Sequence, residues 1–165
     1  MKEIKYQAWS NKYQQMFRVD EISMTRDGYV HGTVDAGFSN EYFQYLTDEE
    51  RKSPLNYIGR VDFVKSIDGR TLSLFQDPSA EEFYLREYTN LNDDNGTEIY
   101  TGDIVKRTSR GKEIVGAVVF EQGAYVIIDE TEKRHFLYPT LRQKTVVIGD
   151  VFRNPNLVPH LLVAK

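Results

Sequence analysis

Turn punctuation constrains this chain more than any other feature. Asp27-Gly28, Asp68-Gly69, Asn95-Gly96, Arg110-Gly111 and Gln122-Gly123 each stand between alternating or β-branched segments. Glycine in such a pair supplies the positive φ of a tight hairpin, so the pattern calls for short antiparallel strands and leaves little room for helix. Val61–Ile67 and Thr71–Phe75 are expected to form a hairpin around Asp68-Gly69, and a second is expected around Asp27-Gly28. Tyr6–Trp9, Met16–Ile22 and Tyr29–Val34 read as further strands. Helix is confined to two capping-box candidates: Thr47–Ser53, ended by Pro54, and a start at Asp77-Pro78 or Ser79, with Glu82 closing the box. Phe83–Tyr88 fits helix or strand by pattern alone.

The last third carries five strand signals: Ile104–Thr108, Glu113–Glu121, Ala124–Asp129, Arg134–Tyr138 and Thr145–Phe152. Short antiparallel strands in so compact a stretch suit a small SH3-like barrel, with an OB-like barrel or a small sandwich as alternatives. The expected fold is mainly β: an N-terminal β-rich segment (1–95) packed with a C-terminal SH3-like barrel (96–158), then a tail (159–165). A barrel of this size buries a thin core, so it has to lean on the N-terminal segment or on another subunit.

Composition bounds the chemistry. Eleven Tyr and nine Phe suit half-buried sheet faces, and Tyr is also a residue of contact surfaces. With no Cys, disulfides, thiol catalysis and thiolate metal sites are excluded. The first residues lack the apolar core of a signal peptide and no stretch approaches a membrane span, so a cytoplasmic protein is expected. The net charge of −4 is uneven. Residues 1–95 carry 11 basic against 17 acidic side chains, and residues 96–165 carry 10 against 8. A net-acidic chain without a large basic block is not an obvious nucleic-acid binder. Lys106, Arg107, Arg110 and Lys112, flanking the first turn of the expected barrel, are nevertheless a candidate patch, with Tyr125, Phe136 and Tyr138 as possible stacking rings.

Other site readings are thin. Aligning Gly96 of Asp93-Asp94-Asn95-Gly96 with the sixth position of a calcium loop leaves Leu91 and Gly102 at ligand positions, so an Asx-rich turn is the better reading. Glu41, Asp48, Glu49 and Glu50 read as a solvated face and helix N-terminal charge. His31, His135 and His160 are far apart, with no paired spacing on a helix. No nucleophile elbow, phosphate loop or dinucleotide fingerprint occurs. No catalytic residue, metal or cofactor is assigned.

Three phrases carry a family resemblance. Ala8-Trp9 with Met16-Phe17 opens the chain. Tyr88-Thr89, Leu91, Asp93, Asn95-Gly96, Ile99-Tyr100 and Gly102-Asp103-Ile104-Val105 form the middle, and Ile148-Gly149, Asn154-Pro155 and Leu157 close it. Together they resemble the YopX family of phage and prophage proteins over nearly the whole length. Ser10 stands where an acid is usual, Asn90 where Gly is usual, and Asp150 where Asn is usual. The resemblance implies a β-rich fold with an SH3-like part and a strand over Phe83–Tyr88. It also implies self-association, in a family without an established activity. A homo-oligomer that meets a host or phage protein is therefore expected, with nucleic-acid binding through the Lys106–Lys112 hairpin as the alternative.

Overall fold

The computed structural model describes residues 3–10, 14–26, 30–35, 57–64, 83–138 and 143–159, with backbone alone at 35, 57–60 and 64. The expected helices at Thr47–Ser53 and Ser79–Glu82, the strand Thr71–Phe75, and the turns Asp27-Gly28 and Asp68-Gly69 lie outside the described residues. The fold is mainly β, as expected. Five strands form the first half: β1 (Tyr6–Ser10), β2 (Gln15–Met24), β3 (Val30–Asp35), β4 (Tyr57–Val64) and β5 (Phe83–Asn92). Each pairs with the next, and β1 returns to β5 over Tyr6↔Glu87 to Ser10↔Phe83, so the ladders close into a ring. Phe83–Tyr88, ambiguous by pattern, is strand because both edges of β5 are taken, by β1 on one side and β4 on the other. A short strand, β6 (Glu98–Tyr100), then pairs back on β5.

The second sheet contains β7 (Asp103–Ser109), β8 (Lys112–Glu121), β9 (Ala124–Asp129), β10 (Arg134–Phe136) and β11 (Gln143–Asp150). Four strands run as a meander and the fifth returns to the first, in the order β10-β9-β8-β7-β11 of a small SH3-like barrel. Ser109↔Lys112 and Glu121↔Ala124 bracket two-residue loops. Arg110 and Gly111 (φ 51° and 77°) and Gln122 and Gly123 (φ 52° and 82°) are all left-handed, the geometry that matches the twist of a hairpin.

Both faces of this sheet are buried, which is why β8 and β9 read as runs of Val and Ile. One face, with Val105, Val118 and Ile127, packs on Ile99 and Leu137. The other, with Ile104, Ala117, Val119 and Ile128, packs on Trp9 and Tyr84 of the ring. Trp9 stacks on Phe152 with centroids 5.6 Å apart. The thin core of the barrel therefore leans on the N-terminal half, through an aromatic seam that would bury on the order of 150–250 Å² per ring. A separate cluster of Ala8, Phe17, Val34, Phe63, Phe83 and Leu85 fills the ring.

Candidate functional site

The family phrases converge where the two halves meet. Gly102, with φ 88°, turns the chain between β6 and β7 and presents Asp103 to Arg86 of β5. Arg86 is 2% exposed, and every nitrogen of its fork is engaged. Nε donates to Thr101 O at 2.9 Å, Nη1 to Gln7 Oε1 at 3.1 Å, and Nη2 to Asp103 Oδ1. Its guanidinium lies 5.6 Å from the Tyr100 ring centroid and 5.7 Å from that of Phe152. Asp103 faces Asp150 as its cross-strand partner. Burial pushes the Asp103 carboxyl up from its ordinary value and the Asp150 charge adds to this, while Arg86 and the Tyr100 N–H pull the other way.

The acids of the Asp93–Gly96 turn hold backbone. Asp93 Oδ1 accepts from the N–H groups of Asn95 (2.9 Å) and Thr97 (2.8 Å), and its Oδ2 from Val147 N–H (2.9 Å). Asp94 Oδ2 accepts from Thr145 N–H at 2.5 Å, and Asp94 N–H donates to Thr145 O at 3.0 Å. The turn at Asp93–Gly96 is thus an Asx turn docked along the edge of β11, and its carboxylate oxygens are filled by N–H groups. Asp103 Oδ2 accepts from Tyr100 N–H at 2.8 Å, and Asn154 Oδ1 from Asp150 N–H at 3.1 Å. A Cβ on Gly149 would lie 2.5 Å from that Asn154 oxygen, so the glycine is set by close approach. Pro155 opens a single 3-10 turn, Pro155–Leu157, that lets Val158 drop into the shared core. Strand edges normally offer unpaired N–H and C=O groups to other chains. Here β6 and β11, each at the end of its sheet's strand order, are capped by side chains.

The three departures from the family pattern have local reasons. Ser10 is 1% exposed in β1, where an acid would have to be desolvated. Asn90 takes φ 64° in a bulge of β5, and its amide exchanges two hydrogen bonds with Glu3 (2.7 and 2.9 Å). Asp150 accepts from Phe152 and Arg153 N–H groups and meets Arg153 Nε at 2.7 Å.

Between β6 and β11 lies a cleft of about 520 Å³, lined in part by Gln7, Tyr100, Arg86, Asp103 and Arg153. Its buried charges are already paired, so what the geometry provides there is a seam.

The expected cationic patch divides. Successive strand residues point to opposite faces, and Arg107 points inward at 4% exposure. It donates to Thr145 Oγ1 (2.9 Å), Phe136 O (2.6 Å) and Leu137 O (2.7 Å). Burial pulls its guanidinium down from the ordinary value, with the Asp94 charge opposing. Arg107 is therefore withdrawn from the surface and ties β7 to the residues around the end of β10. Lys106 stands 4.0 Å from Glu113, and Arg110 and Lys112 are exposed at the loop. Of the rings, Phe136 and Tyr138 are exposed and stacked, whereas Tyr125 packs against Phe120.

His135 meets Asp129 Oδ2 at 2.7 Å, His31 lies in β3, and His160 is outside the described residues. Burial works against ionisation of Asp129. Hydrogen bonds from His135, Thr131 and Lys133 outweigh it and hold the carboxyl well below the usual range. Among the described residues no group of three or more His, Asp or Glu is placed to hold a metal, and no helix is long and apolar enough to cross a membrane.

The family model described as "YopX protein" matches residues 5–159. The chain belongs to the YopX family. No curated protein matches. Among solved structures, protein yopX from Bacillus subtilis is similar at 19% identity and a TM-score of 0.55, over 93% of this chain and 96% of that one. Protein EF1440 from Enterococcus faecalis follows at 17% identity and a TM-score of 0.47, over 96% and 99%. The Bacillus likeness bears on the fold alone. In this YopX chain, sequence reasoning missed Arg86 as the centre of the seam. Its partners sit on three separate segments, and no local pattern marks it.

Proposed function

We propose that this protein is a non-enzymatic accessory module of a phage or prophage, acting in the bacterial cytoplasm by self-assembly and contact with other proteins. The observation that carries this reading is the use made of the acids in and beside the family phrases. Asp93 and Asp94 accept from N–H groups of β11, Asp103 closes the seam with Arg86, and Asp150 holds the turn that follows β11. Acid–base catalysis needs a titratable group within reach of substrate, and these carboxylates are spent on the protein's own backbone and arginines. The single chain also leaves large apolar side chains in water: Ile4 is 77% exposed, Met24 66%, Phe136 61% and Tyr138 60%. Phe136 and Tyr138 stack on each other there, and exposed aromatic side chains of this kind are enriched at contact sites.

Size-exclusion chromatography with light scattering, with absorbance read at 260 and 280 nm before and after high salt, tests the reading. A defined multimer free of nucleic acid is expected. A strict monomer that captures no protein partner would overturn it, and a monomer with salt-removable nucleic acid would promote the Lys106, Arg110 and Lys112 surface instead.

A further inference from the structure

Two buried carboxylates face each other at the seam. Asp103 at the start of β7 and Asp150 at the end of β11 are directly opposed in the ladder, and both line the cleft of about 520 Å³. The two residues are 6% and 2% exposed. Like charges opposed across two strands destabilise a sheet, and burial adds the cost of desolvation. Each carboxylate has an arginine, but the two arginines differ. Arg86 is buried with Asp103, whereas the Arg153 side chain, 2.7 Å from Asp150, is 58% exposed and screened by water. Within the seam two negative charges therefore meet one positive charge of comparable burial. The turn after β11 does not require the second charge. Asp150 Oδ1 accepts from the N–H groups of Phe152 (3.1 Å) and Arg153 (2.8 Å), bonds that an asparagine carbonyl also makes.

We propose that Asp103 and Asp150 form a pair that binds one proton in mild acid, and that this proton tightens the seam between the two halves. The device works whatever the protein binds. Solvent in the cleft supplies the proton and the Asp103 carboxyl carries it, because burial and the Asp150 charge favour its neutral form against Arg86 and the Tyr100 N–H. A neutral Asp103 keeps acceptor capacity, so the bond from Tyr100 N–H (2.8 Å) remains. Arg86 keeps Thr101 O, Gln7 Oε1 and the rings of Tyr100 and Phe152. The other titratable groups at the cleft are satisfied: Glu98 is bound to Lys5 at 2.7 Å, and burial favours the neutral Tyr100 phenol. By linkage, a carboxyl whose value is raised in the closed seam costs stability above that value. The cost is relieved as pH falls through it toward the unfolded value. Asp129 acts in the opposite sense at lower pH, so single residues are read rather than global unfolding.

Carboxyl-carbon NMR titration of the full chain, with amide exchange at Thr101, tests the device. Thr101 N–H donates to Glu87 O (2.9 Å) and so reports whether β5 and the turn before β7 stay joined. The Asp103 midpoint should lie above the ordinary Asp value of ~3.9, and Asp150→Asn should lower it by about half a unit or more. Thr101 protection, corrected for the intrinsic pH dependence of exchange, should rise about threefold or more as pH falls through the Asp103 midpoint. The rise should be smaller in Asp150→Asn. An Asp103 midpoint at or below ~3.9 in the native chain would overturn the proposal, and this reading stands whether or not the variant folds. A midpoint unmoved by Asp150→Asn, or Thr101 protection that does not follow the midpoint, would overturn it as well.

Discussion

The two halves of this protein treat their strand edges in opposite ways. In the C-terminal half, β11 is covered by the carboxylates of Asp93 and Asp94, and the carbonyls at the end of β10 by Arg107. In the N-terminal half the ladders close into a ring, yet the ring opens between residues 3–6 and β2. Capping side chains make an edge unavailable to other chains. The family phrases fall in the core of the ring, the seam and the capped half, so they report how the fold is held.

The largest expected effect is at the seam. Arg86→Met strands the Asp103 carboxylate, and loss of one partner of a buried pair costs about 3–5 kcal/mol. Denaturant unfolding followed by Trp9 fluorescence reads this directly, because Trp9 packs in the core shared by the halves. Burial already pushes the Asp103 carboxyl up. The folded state of the variant therefore takes up the proton more readily than the unfolded chain, and its deficit should shrink as pH falls. A deficit constant with pH would separate Arg86 from Asp103.

Next comes Arg107, which holds neutral acceptors. Arg107→Met leaves two carbonyls and a hydroxyl unmet without stranding a charge, for a cost of about 1–3 kcal/mol. Thermal unfolding should show this loss, with DNA and RNA binding unchanged. Reduced nucleic-acid binding at unchanged stability would return Arg107 to the surface patch.

Asp129 contributes to the acid limb of the capped half. Its folded carboxyl lies below the unfolded value of ~3.9, so its contribution is present above that pH and is lost as pH falls toward the folded value. Asp129→Asn should lower stability at pH 7 and flatten the acid limb below about pH 4. An unaltered acid limb would mean that the hydrogen bonds to Asp129 do not bias its ionisation.

The smallest effect compares two loops of one design. Asp93–Thr97 and Asp129–Lys133 share the same bonds: the first carboxylate accepts from the second and fourth N–H beyond it, and the fourth loop residue is left-handed. That residue is Gly96 (φ 83°) in one and Glu132 (φ 64°) in the other. Glu132→Gly should stabilise the chain by about 1 kcal/mol, the usual cost of a side chain in that region. A destabilised variant would show that contacts of the Glu132 side chain outweigh the backbone strain.

The same pair of loops shows what was legible in the sequence. Asn95-Gly96 announces a turn because glycine marks the left-handed site, and Glu132 hides an identical one. The strands of the C-terminal half were legible because Arg110-Gly111 and Gln122-Gly123 fix two-residue loops between apolar runs. β6 was not, because three residues between two turns carry no period. Lys106 and Arg107 looked like one patch because adjacency in sequence resembles adjacency in space. Strand alternation separates them, and which one points inward depends on Thr145 and on the carbonyls of Phe136 and Leu137, far along the chain. That the β1–β2 ladder ends at Gln7↔Arg18 is a tertiary choice with no local signature.

Residue-resolved amide hydrogen exchange on the full chain tests the capping of strand edges by carboxylates most directly. The Tyr100, Thr145 and Val147 amides, bonded to carboxylates, should exchange as slowly as interior ladder amides of β7 and β8. Fast exchange at Tyr100, Thr145 and Val147 would contradict the account.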